Sequence, residues 1–324
     1  MRRAMIVASI VWCGLAGAQP APSPQIPIAD SGVFPESITA SRTGAIYIGN
    51  FRKPVIYRVE PGGSAARPWI KLDPAIFARV MGVLADDSRS TLWACAYKPA
   101  PAGAKAKSFI QTFDLATGRP LRRFSFEGSG CNDMAIARDG TVYATDYDGG
   151  AVLRLAPGGQ SFQIWATDTR LAAADGVAML SDGSVLVNTF SGGKLFRITA
   201  TKQSAPAIQE IYTSRPLARP DGMRAIGPDR IALVEGEGRV NEIIVNGNHA
   251  DVRIVAEGLP RSATSVAILP GKVAIVSICD FAALRQPNAD MVKASLRRMP
   301  FIAATQAQAK LSGGSSQVSK GEAL

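Results

Sequence analysis

The chain has 324 residues, with 36 Lys or Arg against 26 Asp or Glu and a single His, for a formal net charge of +10. That length can bury a large core in one or two domains, and 47% hydrophobic with 19% charged residues is a globular rather than a disordered composition. The basic residues are scattered singly or in pairs, without the clustered stripe interleaved with aromatics that marks a nucleic-acid footprint, so the charge is read as a solvated surface.

Met1-Arg2-Arg3 supplies a short positive segment, Ala4 to Leu15 an apolar run, and Ala16-Gly17-Ala18 a small-residue cleavage pattern. This is the pattern of a secretory signal peptide over residues 1–18, and it predicts Sec-type export to a periplasm or beyond. The run is too short for a membrane helix, which needs roughly 20 apolar residues, and no later segment reaches that length, so no membrane span is expected. Cleavage removes Arg2 and Arg3 and lowers the net charge to +8. Residues 19–33 read as a lead-in. The remaining cysteines, Cys95, Cys131 and Cys279, are odd in number, so one disulfide at most can form within the chain; export makes a Cys95–Cys131 bridge permissible.

From residue 34 the chain repeats itself. ESITASRTGAIYIGN from Glu36, NDMAIARDGTVYATD from Asn132, DGVAMLSDGSVLVNT from Asp175 and DGMRAIGPDRIALVE from Asp221 share one plan. In each, a polar residue leads a short apolar run, a turn falls near the ninth position, and a second run rich in Val, Ile, Leu and Tyr follows, which is a β-hairpin signature. Asp139-Gly140 and Asp182-Gly183 supply turn dipeptides that tolerate positive φ. Fainter copies begin at Gly82 and Thr264. The copies lie 43 to 50 residues apart, the length of a four-stranded blade, so the expected fold is an all-β, six-bladed β-propeller over residues 34–304. Further strands are expected at Ala151 to Leu155, Ser161 to Ala166, Lys194 to Thr199 and Ala207 to Tyr212. The sixth copy lacks a clear outer strand, and residues near Ile26 to Ala29 or Phe301 to Ala304 are the candidates to close the ring. Residues 305–324 read as a disordered tail.

In a propeller the first strand of each blade lines the central channel, so equivalent positions ring one mouth. Those positions hold Glu36, Met81 or Gly82, Asn132, Asp175, Asp221, and Ala263 or Thr264. Residues about 14 further on return to the same side and suggest a second, substrate-binding ring of Asn50, Asp146, Asn188 and Glu235. Each residue has an innocent explanation, since Asp before Gly is commonly a turn residue and Asn or Glu can serve a loop. Together they are harder to dismiss, because three carboxylates at one narrow opening repel unless a cation neutralises them or they stay protonated. Oxygen ligands without His or Cys suit one hard divalent cation, calcium first, with magnesium or manganese as alternatives.

At these residues the chain resembles the gluconolactonase, senescence-marker-protein (regucalcin) and luciferin-regenerating-enzyme superfamily over roughly residues 34 to 280. Pro35-Glu36, Asn132-Asp133 and Pro220-Asp221-Gly222-Met223 match family elements of the first, third and fifth blades, and Asp175-Gly176 stands where Asn-Gly is usual. The resemblance implies metal binding by Glu36, Asp175 and Asp221, with Asn132 near metal and substrate and Asp221 as base. Sugar-lactone members carry an Arg two residues before the third-blade Asn; here that position is Gly130, which argues against gluconolactone itself.

The implied activity is a metal-dependent lactone or ester hydrolase acting as a monomer on a small molecule, with a polarised carbonyl and water activated by Asp221. The competing class is a non-catalytic periplasmic propeller that binds a small ligand or a protein partner, since fold alone permits both. His249 reads as an exposed turn residue, and no GxSxG, P-loop or dinucleotide fingerprint is present.

Overall fold

The computed structural model describes residues 24–301, apart from 102, 103, 105, 106, 203 and 204. The expected leader at 1–18, the tail at 305–324 and the closing candidates beyond Phe301 lie outside the described residues.

Within them are 24 β-strands, one four-residue helix (Phe281–Leu284) and two short 3-10 turns. After β1 (Gln25–Ser31) comes an antiparallel meander of β2 (Pro35–Ala40), β3 (Ile46–Asn50), β4 (Val55–Val59) and β5 (Arg67–Lys71). The next is β6 (Arg79–Asp86), β7 (Thr91–Tyr97), β8 (Ser108–Asp114) and β9 (Pro120–Phe126). It is followed by β10 (Cys131–Ile136), β11 (Val142–Asp146), β12 (Ala151–Leu155) and β13 (Ser161–Thr167). Then come β14 (Ala174–Met179), β15 (Val185–Thr189), β16 (Lys194–Thr199) and β17 (Ala207–Thr213). The fifth meander is β18 (Pro220–Gly227), β19 (Arg230–Glu235), β20 (Arg239–Asn246) and β21 (His249–Ala256). The chain ends with β22 (Ala263–Leu269), β23 (Val273–Ile278) and β24 (Lys293–Pro300). Short parallel pairings of β13 with β9 and β17 with β21, and one bridge from Asn50 to Val80, join neighbours, so the hydrogen-bonded sheets number 4, 12 and 8 strands.

The first strands touch in sequence, β2 to β6, β10, β14, β18 and β22, and β22 returns to β2. They therefore surround one axis. Second strands such as β3, β11 and β15 are buried at every residue because sheets cover both of their faces, which is why they read as near-continuous apolar runs. The core lies between sheets: Trp93, Ile110 and Phe124 pack on Met134, Leu153 and Phe162, and Leu186 and Leu195 pack on Met223, Ile231 and Leu233. In the hairpin turns Gly140 and Gly183 take φ of 94° and 85°, a region open to glycine at no steric cost.

Closure comes from the two ends of the chain. β1 pairs with β24, Ile26 opposite Leu296, and a bridge from Ile28 to Ala66 ties it to the edge of the first meander. Residues 25–31 of the stretch read as a lead-in are therefore the outer strand of the last sheet, which belongs to the propeller. Cys95 and Cys131 form a disulfide between β7 and β10, with Cα atoms 5.5 Å apart, while Cys279 is free and buried. Among the described residues no helix is long and apolar enough to cross a membrane.

Candidate active site

Glu36, Asn132, Asp175 and Asp221 each occupy the second position of a first strand, where the ladder register breaks. The irregularities fall between Pro35 and Ile38, Cys131 and Met134, Ala174 and Val177, and Pro220 and Met223. A bulge frees a residue from pairing and re-aims its side chain, so one local device, repeated, turns four polar residues toward the axis. The glycines that follow two of them belong to packing, not to a turn. A Cβ on Gly176 would lie 2.7 Å from the Asp221 carbonyl oxygen, and one on Gly222 equally close to the Thr264 carbonyl. Next-door backbones occupy that space. Side chains from second strands complete the clamp: Thr145 donates to the Asp175 carbonyl, Asn188 to that of Asp221, and Ser277 to that of Glu36.

The four polar residues are 3% to 6% exposed. Asn132 Nδ2 donates to Asp175 Oδ2 at 3.2 Å, Asp221 Oδ1 accepts the Gly222 amide at 2.9 Å, and the Asp175 and Asp221 side chains share a hydrogen bond. Among the described residues, Glu36 Oε2 and Asp175 Oδ1 have no hydrogen-bond partner and are buried. Burial, then the charges of Asp175 and Asp133, push the Glu36 carboxyl well up, although Arg224 and Arg79 draw it back. Asp175 is pushed up to about 8 by burial and by Asp133. Asp221 also rises well above the ordinary carboxylate range, through burial and the charges of Asp175 and Glu36. Protons or a cation must relieve this cluster, as mutual repulsion in low dielectric requires.

A fourth carboxylate and a guanidinium lie deeper. Asp133 Oδ2 takes a 2.6 Å bond from Arg224 Nη1, and the same guanidinium donates to the carbonyls of Met223, Ile38 and Val83. Arg224 thus crosses the channel from β18 to β10, β2 and β6. Beyond it, at the hairpin-turn end, opens a cavity of about 790 Å³ that Arg224 lines together with Leu84, Arg89 and Arg138.

The residues expected to form a second, substrate-binding ring make hydrogen bonds within the protein. Asn50 Oδ1 accepts the amides of Phe34 and Arg52, and Asp146 accepts those of Ser129, Gly130 and Gly149. Asn188 spends its amide on Gly176 and the Asp221 carbonyl. Glu235 is held by Arg215, Asn241 and the Ala218 amide. These groups order loops and backbones around the mouth. A residue not singled out in the sequence, Tyr147, lies near the cluster: burial raises its hydroxyl, and the charges of Asp175 and Asp221 add to the effect. Its signal was its place, one past Asp146 at the end of a repeat. At Gly130 a Cβ would lie 2.6 Å from Asp148 Oδ2, so the Asp148 carboxylate fills the space where a longer residue would extend.

All four axial residues offer oxygen, and two of those oxygens are buried without partners, which suits a hard cation. Among the described residues, no three His, Cys, Asp or Glu side chains are drawn together tightly enough to hold a metal ion; the carboxylates stand around the mouth.

No protein-family profile matches the sequence, and no curated protein does. Solved structures do match in fold. A putative gluconolactonase aligns with 86% of this chain and 93% of its own at 18% identity and a TM-score of 0.60. Luciferin-regenerating enzyme aligns with 84% of this chain and 92% of its own at 12% identity, also with a TM-score of 0.60. Virginiamycin B lyase from Staphylococcus aureus, in a catalytically inactive form with quinupristin, aligns with 86% and 98% at 14% identity and 0.57. At such identities the likeness is one of architecture: the chain is a β-propeller.

Proposed function

We propose that this chain is an exported, six-bladed propeller hydrolase that opens a lactone or related ester, using a divalent cation that Glu36, Asn132, Asp175 and Asp221 would hold once their side chains draw in toward it. The observation that carries the reading is the set of three buried carboxylates raised together at one channel mouth, two of whose oxygens lack any partner. A scaffold needs no such group, and burying it costs stability. The six-blade count rests on the closed cycle of six first strands, and export on the leader pattern together with a disulfide suited to an oxidising compartment.

Calcium is the cation of choice, and when bound it supplies Lewis acidity toward an ester carbonyl. Asp221 accepts the proton of the attacking water as general base. As the water oxygen bonds to the carbonyl carbon, the carbon–oxygen bond to the leaving alkoxide breaks, and the proton on Asp221 passes to that alkoxide. Asn132 and Tyr147 supply polar groups beside the reacting centre. Elimination is a second outcome of a raised carboxylate base, and a lyase stands among the structural neighbours.

Metal analysis by mass spectrometry on purified protein, paired with a lactone and ester panel with and without chelator, tests the reading. Expected are near-stoichiometric metal, chelator-sensitive turnover, label uptake from ¹⁸O-water, and loss of turnover in Asp221→Asn with the fold retained. Turnover indifferent to chelator removes the metal mechanism, and a product without label replaces hydrolysis by elimination.

A further inference from the structure

Arg79 opens β6, two residues ahead of Met81, the axial position at which that strand offers no oxygen ligand. Its guanidinium carbon lies 4.9 Å from the ring centre of Phe51 and 4.4 Å from that of Tyr97. Phe51 is in turn braced edge-on by Phe281, and the Tyr97 hydroxyl is fixed on the Cys131 carbonyl at 2.9 Å, one residue before Asn132. The guanidinium is therefore held from the side by two anchored rings.

Its hydrogen-bonding edge is unspent. Among the described residues, Arg79 Nε is buried without a partner, and the Arg79 side chain forms no ion pair and no hydrogen bond. Two other guanidinium groups near the channel are spent, Arg224 on Asp133 and Arg215 on Glu235. Burying Nε with its donor idle is unfavourable unless something else fills it, while the part-exposed side chain keeps its other donors within reach of an incoming group. Arg79 also stands on the acidic side of the channel, since its charge acts on Glu36 and on Tyr97. That action is through space: the charge balance of the mouth does not occupy the fork.

A preorganised fork of donors matches a planar anion, and a guanidinium pairs with a carboxylate through two parallel bonds. The rest of the mouth carries Glu36, Asp175, Asp221 and Asp148 and repels anions, so a carboxylate entering it has Arg79 as its protein partner. We propose that Arg79 anchors a carboxylate on the substrate, which makes the substrate class an acidic lactone or ester whose free carboxylate lies beside the scissile group. This rests on the hydrolase reading for the word substrate, and the binding claim can be measured without turnover.

The test is calorimetric titration of the calcium-loaded protein with tetrahydrofuran-2-carboxylate, an unreactive ring acid, against its neutral counterpart tetrahydrofurfuryl alcohol. The native protein should prefer the acid, and Arg79→Gln should weaken the acid by about 10- to 100-fold, the value of charge-assisted hydrogen bonds. Arg79→Lys, which keeps charge and loses the fork, should weaken it about tenfold; this variant carries the test if the glutamine variant is unfolded by circular dichroism. Equal affinity for acid and alcohol in the native protein, or undiminished acid binding in a folded Arg79 variant, overturns the proposal. Acid binding through Arg79 in a protein that hydrolyses nothing refutes the hydrolase reading and leaves the anion site standing.

Discussion

Replacing Arg224 by methionine asks how much of the fold hangs on one buried charge. Methionine keeps most of the apolar length of the side chain, so the change isolates the guanidinium. Asp133 is 5% exposed in its side chain and Arg224 13%, and the pair is knitted to carbonyls of two further strands, β2 and β6. Taking one partner from a buried pair leaves an uncompensated charge and costs about 3 to 5 kcal/mol. Removing both, as Arg224→Met with Asp133→Asn, leaves no charge to strand and should recover to within about 1 to 2 kcal/mol of the native protein. The measurement is urea denaturation of the four proteins of the cycle at fixed calcium, followed by tryptophan fluorescence, with slopes compared to check that the transition keeps its character. A single variant within about 1 kcal/mol of native, or a double variant no better than the single, would falsify the view of Arg224 as the charge-bearing floor of the channel.

Other outcomes follow from the same geometry. Gly176→Ala and Gly222→Ala force a methyl against the backbones of Asp221 and Thr264; both should weaken calcium binding in a titration far more than Gly183→Ala, whose turn position faces open space. The Cys95–Cys131 bridge spans 36 residues of sequence, so Cys95→Ala with Cys131→Ala should cost about 4 kcal/mol by loop-closure entropy, read as a lower urea midpoint; an unchanged midpoint refutes it. Without metal, the pH dependence has a definite sign. Glu36, Asp175 and Asp221 are raised in the folded state, so it holds more protons than the unfolded chain. Their contribution is complete below the ordinary carboxylate range and is lost as pH rises through the folded values, about 8 for Asp175. The chelated protein should therefore lose stability between about pH 5 and pH 8, Asp175→Asn should flatten that slope, and calcium should bind more tightly as pH rises. A chelated protein equally stable across that range contradicts the raised carboxylates.

The hairpin copies were legible because strand signals are local. Val, Ile and Tyr runs around Asp139-Gly140 and Asp182-Gly183 became β10 with β11 and β14 with β15, and the expected segments Ala151 to Leu155 and Lys194 to Thr199 are β12 and β16 to the residue. The leading polar residues were visible through repetition alone: each interrupts the apolar pattern at the same point, and that point is a bulge. Arg224 was not visible, because its partners lie 91, 141 and 186 positions away and an arginine inside a strand reads as an outward residue when taken alone. The hydrogen bonds of the second ring were not legible for a related reason. Asp146 and Glu235 do return to the mouth, but strand ends there leave amides exposed, and a carboxylate satisfies the nearest amides first. Asn188 belongs with Thr145 and Ser277 as a fastener between neighbouring sheets.

The pairing of Ile26 with Leu296 has a temporal side. Apart from one bridge to Ala66, β1 must wait for its main partner until some 270 further residues have been made. Folding by such distant partners is slow, and in the interval an open edge is available to other chains. Fusions or deletions that intrude on residues 25–31 should accordingly harm yield more than equal changes in a surface turn.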